Sequence, residues 1–358
     1  MEFVYDAVPA RVLFGPGRAG DVAAELAREN AGRVLVACTA NGQRRYRDQI
    51  DALGDLCIGV FAGAEPHCPE PVAQAALAQF KESGADAVLT IGGGSTIGIG
   101  KYIAAHSDAV FVAVPTTASG SEMTPLYGVK VGHEKRTSRD VRALPKSVIY
   151  DPLLSLSLPA RETATIGMNC LAHCVEALYP REPNPIAFLI AKEGIGALIR
   201  GLPAACADLQ DLEARTQVMY GGFLGGLLVS MVGIALHHKI CHVLGGRFGV
   251  PHSECNAVIL PHAIAYNAPA VPAAVAALSE LFGTNDAAGA VFDFAGVLDV
   301  PVGLQALGVS EGDLDACAGE IASATFYNPR PVDPDGMRRL LSDAYRAHRP
   351  VALEPEAI

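Results

Sequence analysis

A change in hydrophobic pattern part-way along the chain constrains the fold more than any other feature. Over the first 150 residues, short apolar runs alternate with helical patterns, which is typical of a parallel sheet with crossover helices. The predicted strands are RVLFG (11–15), VLVAC (34–38), CIGVFAG (57–63), AVLTIGG (87–93) and VFVAVPT (110–116), and VIYDP (148–152) ends the region. The predicted helices between them are 21–29, 43–53, 71–83 and 96–106.

From Pro159 onward the strand signals stop and long helical patterns replace them. The first three cover residues 160–178, 185–206 and 212–232, and further helical segments continue to His348. A length of 358 residues suits about two domains. We therefore predict an α/β dinucleotide-binding domain over residues 1–158 and an all-α substrate or catalytic domain over residues 159–358.

Composition narrows the class of partner and the cellular compartment. The net charge of −11 disfavours a nucleic-acid partner. Nine cysteines without a C-x-x-C motif fit a reducing cytosol better than a disulfide framework. The N-terminus MEFVYDAVPARV lacks the apolar core of a signal peptide, and the longest apolar stretch, 221–236, is shorter than a membrane span. We therefore expect a cytoplasmic protein without a nucleic-acid or membrane partner.

Two glycine-rich segments could bind a dinucleotide. GPGRAG (15–20) matches the G-x-G-x-x-G pattern, but the following strand ends at Thr39, where an NAD site usually has a carboxylate. We interpret this first segment as a turn before a helix. In IGGGSTIGIGK (91–101), a buried strand is followed directly by three glycines, Ser95 and a helix. Glycines let a pyrophosphate approach the backbone, and we expect Ser95 to cap the helix.

The loop PTTASGSEMTP (115–125) follows the next strand and is rich in hydroxyl groups that suit ribose and nicotinamide. A tight turn and a polar surface loop are the alternative interpretations of these two segments. The predicted cofactor contacts are Thr39, Gly93, Gly94, Ser95, Thr116, Thr117 and Ser121.

Histidines are concentrated in the helical half, where six of the ten lie between residues 173 and 262. Asn169 and His173 are four residues apart and share a helix face, as do His238 and His242. His252 follows the glycine-containing turn GGRFGVPH. Side chains at such spacings suit a divalent metal held by several helices. The alternative is that each histidine is a satisfied structural side chain, which is our interpretation of His237 and His262.

Four segments together resemble the iron-containing alcohol dehydrogenase superfamily: GGGSTIGIGK, PTTASGSEMT, GMNCLAHCVEALY (167–179) and HHKICHVLGGRFGVPHSECNAVILPH (237–262). They occur in order over almost the whole chain. RVLFGPG, GSEMTP, RALPKSVIYDP (142–152) and FYNPRPV (326–332) resemble its maleylacetate reductase branch. The resemblance implies a nucleotide domain and a helical domain, as in dehydroquinate synthase.

The superfamily holds its metal with one aspartate and three histidines, which the resemblance places at Asn169, His173, His238 and His252. The aspartate is replaced by Asn169, and the glycine motif has Gly98 where the superfamily usually has an aspartate. Both departures suit the reductase branch. We therefore expect no metal ligands and no metal cofactor.

The resemblance implies reduction of maleylacetate to 3-oxoadipate with NADH or NADPH, a reaction in the catabolism of aromatic compounds. It also implies a homodimer. The enone substrate would need hydrogen-bond donors at its oxygen and a proton at its α carbon. The candidate catalytic residues are His242, His238, His252 and His173. Lys239 and Arg247 are the leading candidates to bind the two substrate carboxylates, with Arg330 weaker, and structural ion pairs are the alternative.

Three other functions are compatible with the same residues. The first is a metal-dependent alcohol or polyol dehydrogenase, which would need a stoichiometric metal. The second is a lyase resembling 3-dehydroquinate synthase, which would show no net cofactor turnover. The third is a non-catalytic nucleotide-binding sensor, against which the clustered histidines argue.

Overall fold

The computed structural model describes residue 3 and residues 10–132 and 134–351. Most of the N-terminal segment MEFVYDAVPARV, which is not expected to be a signal peptide, lies outside the described residues. The chain divides into two compact units, and the boundary at residue 158 separates most of the first from most of the second. Each unit is described separately below.

The N-terminal unit is built on a six-stranded parallel sheet with strand order β1-β8-β5-β4-β2-β3. The strands of this unit are β1 (Arg11–Phe14), β2 (Val34–Ala37), β3 (Cys57–Phe61), β4 (Ala87–Gly92), β5 (Val110–Pro115), β6 (Leu126–Val131), β7 (Glu134–Arg139) and β8 (Ser147–Tyr150). All residues of β2, β4 and β8 are buried, which explains why they are continuous apolar runs. The five predicted strands are confirmed, with ends within two residues, and the segment that ends the region, VIYDP, contributes to the sixth strand, β8.

Helices α1 (Val22–Arg28), α2 (Ala40–Arg45), α3 (Arg47–Asp51), α4 (Glu70–Ser83) and α5 (Gly94–Ala105) connect the strands of the sheet. Strands β6 and β7 form a separate antiparallel hairpin that the sequence analysis missed. The sequence of β7, EKRTSR, contains no apolar residue and so carries no strand signal of its own. Its conformation depends on pairing with β6, a tertiary effect that propensity does not capture.

The second unit is helical over the described residues 159–209 and 231–351. Its helices are α6 (Ala160–Glu176), α7 (Pro185–Ala207), α9 (Leu236–Phe248), α10 (His252–Asn267), α11 (Pro272–Phe282), α12 (Ala287–Val297), α13 (Leu314–Ser323) and α14 (Pro334–Tyr345). One core cluster contains Leu244 of α9, Ile259 of α10, Ile321 of α13 and Leu341 of α14. Helices α6, α9 and α10 pack together, and the histidines lie on these three helices.

Helix α8 (Leu212–Val232) departs from the expected division, because residues 210–230 group with the α/β unit. The reason is a close backbone approach. A Cβ atom on Gly226 would lie 2.4 Å from the carbonyl oxygen of Gly120, and one on Gly222 would lie 2.5 Å from Cβ of Ala118. Gly120 itself has a φ of +71°, a left-handed conformation that favours glycine. The glycines of α8 thus let the loop after β5 rest directly on the helix.

Among the described residues, no single helix combines the length and the apolar composition needed to cross a membrane.

We predict that Gly226→Ala destabilises the protein by about 1–3 kcal/mol, because its methyl group overlaps the backbone of Gly120. Since Gly120 belongs to the loop predicted to contact the cofactor, NADH affinity should fall as well. Denaturant unfolding and a fluorescence titration measure the two effects. Gly319→Ala is the matched control, because its Cβ would meet nothing within 4 Å and alanine favours a helix. Equal stability of the two variants would contradict the prediction.

Candidate functional site

The predicted cofactor loops lie side by side at the carboxyl edge of the parallel sheet. The backbone N–H of Thr116, after β5, donates to the carbonyl of Gly92, at the end of β4, over 3.1 Å. A Cβ atom on Gly93 would lie 3.1 Å from Oγ1 of Thr117. A Cβ on Gly94 would lie 3.7 Å from Ser119. The glycines therefore bring the two loops together, and ligands of open α/β sheets bind at this edge.

Ser95 does not cap helix α5, so that expectation is wrong. The N-cap residue is Gly93, in an extended conformation, and no side chain accepts a hydrogen bond at this helix end. Ser95 lies inside the first turn because the helix already begins at Gly94. The first backbone N–H groups are therefore left for another acceptor, as in helix N-termini that bind phosphate.

Thr39 and the GPGRAG segment have local structural partners. Oγ1 of Thr39 accepts from the N–H of Gly42 over 2.9 Å and so caps α2. The carboxylate of Asp151 accepts from the N–H groups of Gly17 and Ala19, both over 3.0 Å. This contact uses the backbone donors that a phosphate would need. It supports the interpretation of GPGRAG as a turn.

Two buried charged residues support the loop after β5, and the sequence analysis singled out neither. Nζ of Lys101, on α5, donates to the carbonyl oxygens of Thr124 and Leu126 over 2.8 and 2.6 Å. Glu122 accepts from the hydroxyl of Tyr150 over 2.6 Å. Burial lowers the pKa of Lys101 to about 7 and raises the pKa of Glu122. Ser121, predicted to contact the cofactor, directly precedes Glu122.

In the helical unit, four of the predicted histidines form one cluster. The rings of His173 and His238 stack with centroids 4.7 Å apart, and those of His242 and His252 stack at 5.8 Å. The centroid of His238 lies 6.5 Å from that of His242 and 6.4 Å from that of His252. His238 is buried, whereas His242 and His252 are exposed. Three helices thus bring together residues separated by up to 79 positions in the sequence.

A second layer of buried residues supports the cluster. The carboxylate of Glu176 accepts from the N–H groups of Ala235 and His237 over 2.9 and 2.8 Å. It also lies 2.7 Å from Nδ1 of His238. Nε2 of His237 lies 3.0 Å from the carbonyl oxygen of Asn256. His237, interpreted as structural, therefore belongs to the framework that holds His238.

Three buried polar atoms of the cluster have no hydrogen-bond partner among the described residues. They are Nδ1 of His173, Nε2 of His238 and Oδ1 of Asn256. The side-chain amide of Asn256 donates to Oδ1 of Asn169. The unpartnered Oδ1 of Asn256 therefore lies close to Asn169, where the family has a metal ligand. Buried polar atoms without partners are rare in proteins, and several in one place indicate a binding site.

Burial keeps the inner histidines neutral. It lowers the pKa of His173 and of His238 well below the usual value, and the neighbouring histidines lower it further. Burial also lowers the pKa of His237 to about 3. Neutral imidazoles have one donor and one acceptor nitrogen each. The inner part of the cluster is therefore a set of neutral hydrogen-bonding groups.

The three predicted cations lie in different places. Lys239 is half-buried next to His238, one helical turn from His242, and has no hydrogen bond or ion pair to a described residue. Arg247 lies about 180° around α9 from His238 and pairs with Asp313 and Glu320. It is not brought to the cluster, so its predicted role is not supported.

Arg330 is also remote from the cluster. Its guanidinium donates to the carbonyl of Tyr266 over 2.8 Å and lies 4.4 Å from the centroid of that ring. Tyr266 is fourteen residues after His252 on α10, roughly 20 Å along the helix. Of the three cations, Lys239 alone remains a candidate for a substrate carboxylate.

Comparisons with known proteins agree with this architecture. The family model described as "Iron-containing alcohol dehydrogenase" matches residues 9–152, and the model of the family's C-terminal part matches residues 163–345. The chain belongs to the iron-containing alcohol dehydrogenase family. Members of this family are oxidoreductases, and the α/β and helical units correspond to its two family models.

Several curated relatives share one name. Maleylacetate reductase from Pseudomonas sp. (strain P51) is 44% identical over 98% of this chain and 99% of its own length. The crystal structure of maleylacetate reductase from Agrobacterium tumefaciens has a TM-score of 0.95 at 42% identity, covering 98% of this chain and 100% of that one. A 1,3-propanediol oxidoreductase structure has a TM-score of 0.89 at 29% identity, covering 96% and 100%.

The residues of the cluster do not fit the iron that the family name implies. Iron sites of this kind combine histidines with a carboxylate. Here Asn169 offers an amide oxygen that already accepts from Asn256. Glu176, His237 and His238 have potential ligand atoms within 4.8 Å of one another, but the carboxylate is occupied by two backbone N–H groups and His238. No carboxylate among the described residues is left to complete the site.

Proposed function

We propose that this protein reduces the enone C=C bond of maleylacetate to give 3-oxoadipate, with NADH or NADPH as hydride donor. The observation that carries the proposal is the neutral histidine cluster with its unpartnered polar atoms and an amide in place of the family's carboxylate. Relatives named maleylacetate reductase, 38–44% identical over at least 97% of this chain, support it.

The chemistry matches these groups. Hydride adds to the alkene carbon β to the ketone, the π electrons move to the ketone oxygen, and the α carbon takes a proton. The enolate oxygen needs a hydrogen-bond donor, which we assign to His242, and His252 is the candidate for the proton. Lys239 would bind a substrate carboxylate. We propose that Gly93, Gly94, Ser95, Thr116, Thr117 and Ser121 contact the cofactor, whereas Thr39, the N-cap residue of α2, meets the adenosine ribose.

The deciding experiment is NADH oxidation by the purified protein with maleylacetate, with the product identified as 3-oxoadipate by mass spectrometry. Oxidation of 1,3-propanediol and simple primary alcohols with NAD⁺ is measured in parallel. Much faster turnover of the alcohols would favour a metal-dependent alcohol or polyol dehydrogenase and would overturn the proposal.

We predict that both NADH and NADPH are accepted. No carboxylate follows β2, where one would bind the 2′-hydroxyl of NADH and repel the 2′-phosphate of NADPH. Arg45, exposed at the end of α2, is available to a phosphate. Steady-state kinetics with each cofactor test this. A preference above about a thousandfold, roughly 4 kcal/mol, would contradict it.

We predict that activity does not need a metal. Enone reduction passes through a delocalised enolate, for which hydrogen bonds can replace the Lewis acid that alcohol oxidation uses. Activity should survive chelation, and elemental analysis should find no stoichiometric metal. Asn169→Asp should raise metal affinity and slow the reduction, because it places a negative charge near a dianionic substrate. Loss of activity on chelation, restored by adding one metal per chain, would refute metal independence.

Two further proposals concern the state of the protein. We propose a homodimer, which light scattering of the purified protein tests directly. We also propose a cytoplasmic location. All nine cysteines are free, which is consistent with a reducing compartment.

A further inference from the structure

We infer that Glu176 is a positioning residue that holds His238 in the tautomer with its proton on Nδ1, so that Nε2 of His238 acts as a hydrogen-bond acceptor. Three buried side chains, those of Glu176, His237 and His238, are linked by short polar contacts that determine where each ring carries its proton. The consequence for the reaction rests on the proposed function, whereas the tautomer itself does not.

The first step fixes the proton of His237. Its Nε2 lies 3.0 Å from the backbone carbonyl oxygen of Asn256, which can only accept. Nε2 of His237 must therefore carry the proton. A neutral imidazole has a single N–H, so Nδ1 of His237 carries a lone pair and can only accept a hydrogen bond. The complete burial of this ring disfavours a second proton.

The second step fixes the proton of His238. Its Nδ1 lies 3.2 Å from Nδ1 of His237 and 2.7 Å from Oε2 of Glu176. Both neighbours of this Nδ1, the carboxylate of Glu176 and the lone pair on Nδ1 of His237, are acceptors, and the shorter contact is to Glu176. Nδ1 of His238 must therefore be the donor, and Nε2 of the same ring carries no proton. That Nε2 is buried and has no partner among the described residues.

Glu176 provides the strong acceptor in this arrangement. Its two oxygens also accept the N–H groups of Ala235 and His237, which hold the carboxylate at the N-terminus of α9. Burial raises the pKa of Glu176, whereas these two N–H groups and the positive end of the helix dipole favour its charged form. Glu176 is three residues after His173 on α6, so one helix supplies both a ring beside His238 and the group that orients it.

The orientation assigns different tasks to two neighbouring histidines. Neutral His238 cannot donate a hydrogen bond from Nε2 to the enolate oxygen, so that donor must come from another group, such as His242. Nε2 of His238 instead accepts a hydrogen bond from the water or imidazole N–H that delivers the proton to the α carbon. Glu176 would then control the rate of reduction without touching the substrate.

The test measures the tautomer directly in the protein without substrate or cofactor. Nitrogen-15 spectra of histidine-labelled protein, assigned by difference from His238→Gln, should show His238 protonated at Nδ1 and unprotonated at Nε2. In Glu176→Gln and Glu176→Leu, the Nε2–H form should become populated. The kcat with maleylacetate should fall by about 10- to 100-fold, as for other residues that orient a histidine, with KM for NADH unchanged.

Two further variants separate positioning from stability. Glu176→Asp keeps a carboxylate and should retain the Nδ1–H form and part of the activity. Glu25→Gln is the matched control, because Glu25 is a buried carboxylate in the α/β unit that accepts from Ser147 over 2.6 Å. It should change neither the tautomer nor kcat.

A wild-type His238 protonated at Nε2, or a tautomer unchanged in both Glu176→Gln and Glu176→Leu, overturns the inference. The wild-type spectrum decides the tautomer even if the substituted proteins do not fold. Failure of the wild-type protein to reduce maleylacetate counts against the proposed function and leaves the tautomer measurement valid.

Discussion

Replacing His242 or His238 with alanine is expected to lower kcat by about 10²- to 10³-fold, with little change in the Kd for NADH. Loss of one oxyanion donor has this effect in other enzymes, and loss of a group that handles protons has an effect of similar size. The two rings lie on one face of α9 with centroids 6.5 Å apart. Stopped-flow kinetics and NADH fluorescence measure the two quantities.

His262→Ala is the control for this pair. His262 is buried and its ring lies near that of Phe292. It is on the same helix as His252, ten residues further along. We expect this variant to lose stability and to keep its kcat when folded. Wild-type kcat in both His238→Ala and His242→Ala would mean that the histidine cluster is structural.

Replacing Lys239 with methionine is expected to lower kcat/KM for maleylacetate by about 10- to 100-fold. A hydrogen bond to a charged group is worth about 1.5–3 kcal/mol, and each 1.4 kcal/mol corresponds to a factor of ten. Lys239 has no ion pair to a described residue, so it can bind a substrate carboxylate without breaking a contact within the protein. Lys239→Arg should keep part of the affinity because it keeps the charge.

Lys192→Met serves as the matched control for this charge removal. Lys192 is also a lysine on a helix of the same unit, but it pairs with Glu280 over 2.7 Å. Exposed ion pairs contribute little, so kinetics should be unchanged. If Lys239→Met and Lys192→Met have the same kcat/KM as the wild type, Lys239 does not bind the substrate.

The division between a sheet and a helical region was readable in the sequence because the patterns are physically distinct. Buried parallel strands need continuous apolar runs, and β4 and β5 show them. Hairpin strand β7 was missed because its side chains give no such signal. Helix α8 is correctly delimited in the sequence, but its place with the α/β unit depends on backbone contacts at Gly222 and Gly226.

The histidine cluster could be predicted in part because spacing along a helix shows which residues share a face. Asn169 with His173, and His238 with His242, were paired in this way. Glu176 was missed, although its three-residue spacing from His173 was a usable signal. Its main partners are backbone N–H groups of α9, and a sequence pattern does not reveal which helix end a buried carboxylate meets.

Long cationic side chains were predicted less well. Arg247 and Lys239 are close in sequence to the same histidines, yet Lys239 follows His238 directly, whereas Arg247 lies on the opposite side of α9 from that histidine. Arg247 is directed to Asp313 and Glu320, which are more than sixty residues further along the chain. The partner of such a residue depends on how distant helices pack, and the local sequence carries little information about it.

The position of α8 has a consequence for how the protein is made. Domains usually fold in the order in which the ribosome releases them. Here the α/β unit cannot be completed when residue 158 emerges, because the helix on which Gly120 rests ends at residue 232. Completion of this unit must wait while α6 and α7 of the other unit are translated. The loop after β5 therefore lacks its supporting helix on the nascent chain until α8 has been released.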